Sequence, residues 1–172
     1  MTDWLFIIFI EFCIIAFGIW IIWSGLVGAP WLPTPKRRIR SMLEFAGVNQ
    51  DDRVYDLGSG DGRIIVMAAK EFGAQSIGIE VDPLRILWSK LAIKRNKLGN
   101  RVKVIRGNFF KISLADATVV TLYQGFEINK KIREKLSSEL KPGTRVVSYR
   151  FILEGWNPVK TSEETSVYLY IV

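Results

Sequence analysis

Histidine is absent from the 172 residues, which removes the usual general base at neutral pH and the commonest transition-metal ligand. A single cysteine, Cys13, cannot build a disulfide framework or a thiolate metal site, and no compact set of carboxylates offers Mg²⁺ a cage. Metal-assisted chemistry is therefore not expected. Basic residues are absent from the first 27 positions, where Asp3 and Glu11 are the only acids, so the rest of the chain carries 24 basic against 15 acidic side chains, a net of +9. That excess favours anionic partners: lipid headgroups, nucleic acid or an acidic protein face. Internal repeats and low-complexity tracts are missing too, and the length suits one globular domain of about 140 residues with a sizeable core.

Long apolar runs, by contrast, are present at one end. Trp4 to Val27 is interrupted only by Glu11, Cys13 and Ser24, and as a helix it would rise about 36 Å, against a hydrocarbon thickness of about 30 Å. This predicts a transmembrane anchor over residues 1–28. Trp4 at one end and Trp20, Trp23 and Trp31 at the other fit aromatic belts. The cluster Lys36, Arg37, Arg38 and Arg40 then places the N-terminus outside and the remainder on the cytoplasmic side, or the matrix side of an organelle. A cleaved signal peptide is excluded by the lack of a basic n-region and of a small-residue cleavage site. Glu11 within the run is either protonated or snorkelled to the interface, or it meets a donor on a partner helix. Residues 29–50 read as a proline-stiffened linker and a basic amphipathic helix that buries Ile39, Met42, Leu43 and Ala46; its basic face is either held against anionic headgroups or merely solvated.

The most informative stretch is Val54-Tyr55-Asp56-Leu57-Gly58-Ser59-Gly60-Asp61-Gly62-Arg63. An apolar run ends at an acid, glycines recur at every second position, and a helical pattern begins at Ile64: strand, tight loop, helix. Such a turn with a helix behind it can cradle a small polar ligand. Arg63 stands where a dinucleotide fingerprint needs its third glycine, and the Lys-Ser/Thr pair of a phosphate loop is missing. The carboxylate at the strand end repels phosphates but accepts from an ammonium group, which suits the amino-acid end of S-adenosylmethionine.

At these residues the chain resembles the class I S-adenosylmethionine-dependent methyltransferases. Within them, Trp31-Leu32-Pro33-Thr34-Pro35, Asp56 to Arg63, Glu80-Val81-Asp82-Pro83, Gly107-Asn108-Phe109-Phe110 and Arg145 to Phe151 with Gly155-Trp156 are similar to the small protein lysine methyltransferases. That group includes an archaeal broad-specificity type and the mitochondrial enzymes acting on the adenine nucleotide translocase and the ATP synthase c-subunit. The resemblance covers about residues 29–172. It implies a Rossmann-like α/β sheet, mostly parallel with an antiparallel last strand, over residues 51–172, and S-adenosyl-L-methionine as cofactor. It also implies cofactor contacts from Asp56, Gly58, Ser59, Gly60 and Glu80, with Glu80 on the ribose hydroxyls, Asn108 beside the adenine and Thr34 on a segment that closes over the site.

The remaining pattern fits that order. A strand ends at Glu80; Asp82 and Pro83 start a helix expected to carry Leu84, Leu87, Trp88 and Leu91 inward; strands follow at 102–106, 117–123 and 145–151, with two short ones in 156–172. Tyr123-Gln124-Gly125-Phe126-Glu127 replaces the Asn-Pro-Pro-Tyr type sequence of many nucleic-acid and glutamine methyltransferases. Tyr123 and Glu127 are the expected catalytic pair, lining a lysine channel by hydroxyl and ring face and by attraction of the incoming ammonium; each also has an ordinary reading, as a strand end and a helix-start acid. The expected function is methylation of lysine on a protein, membrane-associated by this reading. The competing expectations are a methyltransferase of RNA or of a lipid or quinone headgroup, and a non-catalytic S-adenosylmethionine-binding protein.

Overall fold

Successive residues of a strand point to opposite faces of a sheet, and that period of two sorts the core. Val54, Val119 and Val147 fall in one apolar cluster with Ile39, Leu43 and Ala68, while their neighbours Tyr55, Val120 and Val146 fall in a second with Ile132 and Leu136. Strands buried on both faces belong to a sheet covered by helices on each side. The structure, a computed structural model, describes residues 2–27 and 32–172, and in the first segment the side chains of 4–20 and 22. In chain order its elements are α1 (Thr2–Val27), α2 (Lys36–Phe45), β1 (Arg53–Leu57), α3 (Arg63–Phe72), β2 (Gln75–Glu80), α4 (Pro83–Arg95), β3 (Val102–Arg106), a 3-10 turn (Phe109–Lys111), β4 (Val119–Leu122), α5 (Phe126–Glu139), β5 (Arg145–Tyr149), β6 (Lys160–Ser162) and β7 (Val167–Ile171).

The sheet order is β3-β2-β1-β4-β5-β7-β6. β1 to β5 pair in parallel, and β7 runs antiparallel to both β5 and β6. This is the Rossmann-like mixed sheet that the sequence predicts. Strand order reverses at β1, which lies between β2 and β4, so the crevice beyond the C-terminal ends of β1 and β4 is where an open α/β sheet takes a ligand.

The chain divides into two compact units, residues 1–32 and 33–172. In the first, α1 presents large apolar side chains such as Phe6, Phe12 and Ile19 to its surroundings. The expected transmembrane span is corrected: among the described residues no helix is long and apolar enough to cross a membrane. Glu11 lies inside the apolar stretch, where a carboxylate is costly in hydrocarbon. The single-pass topology with an outside N-terminus falls with it. Gly28 of the expected anchor and residues 29–31 of the expected linker, Trp31 among them, lie outside the described residues, as do the side chains of Asp3 and Trp23.

In the second unit α2 buries Ile39, Met42 and Leu43 and packs on α3, β5 and β7. Its C-terminus is stapled by Arg145, whose Nη1 donates to the carbonyls of Ala46 (2.8 Å) and Gly47 (2.9 Å) while the guanidinium pairs with Asp52. The basic face is partly consumed within the fold: Arg40 donates to both oxygens of Glu71 at 2.7 and 2.9 Å, and Arg38 to the carbonyl of Glu164.

Helix α4 reverses an expectation. Asp82 caps it through the N–H groups of Leu84 (2.8 Å) and Arg85 (3.2 Å) and pairs with the Arg85 side chain, and the Ser89 hydroxyl donates to the carbonyl of Gly60 at 2.9 Å. These polar bonds turn Arg85, Ile86, Ser89 and Ile93 toward the sheet. Leu84, Leu87, Trp88 and Leu91, expected inside, are exposed.

Burial and exposure at α2 should separate in stability. Ile39→Ala, which empties a fully buried site, should cost about 3 kcal/mol, whereas Arg40→Ala, which breaks an exposed pair, should cost less than about 1 kcal/mol. Urea midpoints of the two variants against the parent measure both.

Candidate active site

At the crevice the sheet register sets Asp56 of β1 directly beside Thr121 of β4, and the Thr121 hydroxyl donates to Asp56 Oδ1 at 2.7 Å. The carboxylate is buried, and its second oxygen, Oδ2, has no hydrogen-bond partner among the described residues. Burial, with the nearby charges of Glu80 and Asp61 adding to it and the Thr121 bond opposing, pushes the Asp56 carboxyl up to about 7.

The glycine turn is closed on itself. The N–H groups of Gly58 and Ser59 both donate to the carbonyl of Ile79 (2.9 and 3.0 Å), that of Gly60 to Glu80 Oε2 (2.8 Å), and that of Gly62 to the carbonyl of Ser59 (2.9 Å). The amides of Gly58, Ser59, Gly60 and Gly62 are thus spent on β2 and on the turn. What the turn supplies is close approach: Gly58 has φ +80°, and a Cβ there would drive into the Gln124 amide. The Ser59 hydroxyl packs beneath the turn against Gly78, where a Cβ would meet it at 2.5 Å.

Glu80, buried at the end of β2, also accepts at Oε1 from the N–H groups of Val81 and Asp82, each at 2.9 Å. Oε2 keeps one lone pair beyond its bond to Gly60. Asn108, exposed at the end of β3, caps the 3-10 turn through Oδ1, which accepts from the N–H of Phe110 at 2.9 Å. Thr34 is buried, and its carbonyl takes a bond of 2.9 Å from Arg63 Nη1, while the same guanidinium grips Asp61. The segment before α2 is thereby tied to the glycine turn.

Tyr123, just past β4, sits among aromatic rings, with centroids 4.7 Å from Tyr149 and 6.5 Å from Phe151, and its hydroxyl accepts from Arg150 Nη1 at 3.3 Å. Glu127 lies apart from this cluster in its contacts, exposed in the first turn of α5. Three residues with evident roles at the crevice escaped the sequence reading. Gln124 is fixed by a 2.6 Å bond from Nε2 to the carbonyl of Leu57; its place at the end of β4 was the available signal. Arg63 was noted only as a missing glycine. Arg150, held at φ +68°, was noted only as part of the stretch Arg145 to Phe151, with no role of its own.

The crevice therefore offers acceptors, namely Asp56 Oδ2, the open side of Glu80 and the Gln124 carbonyl oxygen, with acids around them and no free row of amides. Such a site fits a ligand bearing an ammonium and hydroxyl groups and opposes phosphate. A sheet of this order, with an acid ending β1, a glycine turn and a second acid ending β2, defines a class I S-adenosylmethionine-dependent methyltransferase, and S-adenosyl-L-methionine is the cofactor.

Comparison narrows the class. A profile of the ANTKMT methyltransferase domain matches residues 56–160, and the chain belongs to that family. It is 45% identical over 150 residues to a protein-lysine N-methyltransferase of Saccharolobus islandicus (strain REY15A), covering 83% of this chain and 93% of that protein. It is 33% identical over 131 residues to an adenine nucleotide translocase lysine N-methyltransferase of Mus musculus, covering 76% of this chain and 56% of that protein. Against that animal relative, then, it spans little more than half the length. Among solved structures, an RNA methyltransferase from Salinibacter ruber in complex with S-adenosyl-L-homocysteine superposes with a TM-score of 0.80 at 40% identity, over 82% of this chain and 94% of that one.

The raised Asp56 carboxyl makes the ligand-free fold sensitive to pH. Between about 4 and about 7 the folded chain holds this proton more tightly than the unfolded chain, so stability should fall as pH rises through that window and level off above it. Melting temperatures of the ligand-free protein across pH 5 to 8 should decline in the parent and decline less in Asp56→Asn.

Proposed function

We propose that this enzyme methylates lysine side chains of proteins, with the cofactor in the crevice between β1 and β4 and the substrate lysine entering past Tyr123. The observation that carries the substrate class is the 45% identity to a protein-lysine N-methyltransferase over 93% of its length. Asp56 Oδ2 receives the ammonium of the cofactor's amino-acid end, which is why an orphaned buried oxygen is tolerated there. The free lone pair of Glu80 Oε2 takes a ribose hydroxyl, and Asn108 lies toward the adenine with its Nδ2 and the second lone pair of Oδ1. Gly58, Ser59 and Gly60 form the floor through shape, and Thr34, fixed by Arg63, borders the opening.

The bound cofactor supplies an already activated methyl group on a positive sulfur, so the chain's own task is alignment and control of one proton. A lysine of ordinary pKa is neutral only about once in 2,500 molecules at pH 7. Rings of Tyr123, Tyr149 and Phe151 desolvate an amine that reaches this edge, and the nearby Arg150 cation further disfavours its charged form. The proton then leaves to water, and no histidine is required. Glu127, at the start of α5, draws the ammonium in from solvent.

A second reading has its own support: the solved relative named as an RNA methyltransferase, together with the net +9 of residues 28–172. Association of the substrate or enzyme with an anionic surface through Lys36, Arg37, Arg38 and Arg40 is weakened by the engagement of Arg38 and Arg40 within the fold.

Transfer of labelled methyl from the donor into a cell extract, followed by separate protease and nuclease treatment, discriminates the two substrates. Label should be lost to protease and recovered as methyl-lysine; label lost to nuclease instead would replace lysine with RNA. Tyr123→Phe should lower kcat more than it raises KM.

Binding should carry a pH signature. Below about pH 7 the ligand's ammonium must expel the Asp56 proton, so affinity for S-adenosylhomocysteine should drop by up to about tenfold per pH unit there. Calorimetry should find Asp56→Asn at least about tenfold weaker at pH 8 and nearly flat with pH.

A further inference from the structure

Residues 83–115 hold nine basic side chains and no acid. Since residues 28–172 carry 24 basic against 15 acidic side chains, this one segment accounts for the whole excess and leaves the remainder balanced, 15 against 15. Five of the nine, Lys90, Lys94, Arg95, Lys97 and Lys103, lie exposed on the second half of α4, the turn after it and the start of β3. None of these five pairs with an acid among the described residues. The adjoining α3 and β2 contain one acid each: Glu71 is engaged by Arg40, and Glu80 is buried at the crevice edge. Lys70 of α3 adds a further cation, its Nζ donating to Asn96 Oδ1 at 3.0 Å.

The turn that carries this charge is closed by backbone bonds. The N–H of Leu98 donates to the carbonyl of Ile93 and that of Lys97 to the carbonyl of Lys94, each at 3.1 Å, the pair of bonds that ends a helix on a left-handed residue. Glycine usually fills that place; here it is Lys97, at φ +57°. A lysine held where glycine would be less strained points to a use for its charge. Attraction of cations to a helix C-terminus accounts for Lys94 and Arg95, but not for the backbone of Lys97, nor for Lys90 and Lys103.

We infer that this corner of the sheet is a docking surface for double-stranded DNA, held through its phosphate backbone. A surface of one sign throughout fits a partner of one sign throughout, and a DNA duplex carries a negative charge for about every 1.7 Å of its axis. Lysine, a point charge on a flexible stem, meets phosphates without selecting a base. Single strands are held by stacking on rings, and residues 89–108 contain no aromatic side chain. An RNA duplex is recognised through its 2′-hydroxyls; of the two amides in the turn, Asn96 is spent on the carbonyl of Ala92 and on Lys70, which leaves Asn100 alone. Strands β1 to β3 run in parallel, so the turn before β3 lies at the edge of the sheet opposite the crevice. A duplex held there is a tether and not the methyl acceptor. The inference therefore stands apart from the lysine reading, since it concerns where the enzyme is held and not what it methylates.

The test follows a fluorescently labelled DNA duplex of about 20 base pairs by anisotropy as the full chain is added, from about 50 to about 200 mM salt. The parent should bind with an affinity that falls steeply with salt. Replacing three of the lysines together, Lys90→Gln, Lys94→Gln and Lys103→Gln, should weaken binding at least about tenfold and flatten the slope of log Kd against log salt by about 2 to 3, with circular dichroism unchanged. A control triple, Lys130→Gln, Lys131→Gln and Lys141→Gln, removes the same charge from exposed positions on and just after α5 and should stay within about threefold of the parent. Lys97→Gly relieves the left-handed lysine, so it should melt no lower than the parent and still bind severalfold more weakly. Absence of binding at the lowest salt, equal losses in the two triples, or parent-like binding by Lys97→Gly would overturn the assignment. Tighter binding of the matching RNA duplex or single strand, or displacement by polyglutamate at equal charge, would assign the surface to RNA or to an acidic protein instead. Labelled methyl recovered in the DNA would overturn the tether.

Discussion

A carboxylate sealed between two parallel strands, with one oxygen bonded and the other left bare, is the condition on which the site depends. The second oxygen has no partner among the described residues, and burial leaves the charge of Asp56 poorly solvated. A proton or a nearby cation would relieve that cost. On the proposed reading, this buried carboxylate favours an ammonium over a phosphate, and the same burial makes the carboxyl hold a proton in the ligand-free chain.

The glycine turn serves this condition differently from a phosphate loop. The amides of Gly58, Ser59, Gly60 and Gly62 are committed to Ile79, Glu80 and Ser59, which pins the turn against β2 and withholds those donors from an anion. Gly58 permits the Gln124 amide to lie against the backbone, and Gly78 makes room for the Ser59 hydroxyl. Small residues at these positions let two strands and a turn approach closely enough to bury Asp56, so packing and ligand choice have one origin.

Much of this was legible because it follows from spacing. The acid near the end of β1, the acid at the end of β2 and the Asp82–Pro83 helix start express local rules of strand, turn and cap, while the mostly parallel sheet with its antiparallel last strand was implied by the family resemblance. The inner face of α4 was not legible, because both of its sides carry apolar residues, and hydrophobicity alone cannot decide which is buried when hydrogen bonds from Asp82 and Ser89 fix the rotation. Nor could spacing show that the amides after Asp56 are spent, since that depends on where β2 runs. Arg150 and Arg63 meet their partners only after folding, across 27 and 29 residues of chain. The apolar N-terminal stretch misled in the other direction: its composition suggested a span that no helix among the described residues provides.

Glu80 shows how one side chain can answer two questions at once. Its carboxylate holds the backbone of Gly60, Val81 and Asp82 in place, so it is a structural tie between the glycine turn and the start of α4 as well as an acceptor at the crevice. Shortening or neutralising it would loosen three amides together, and any fall in ligand affinity would mix a lost contact with a slackened frame. The sugar's contribution is cleaner to read from the ligand side, by comparing nucleosides with and without each hydroxyl on an unaltered protein.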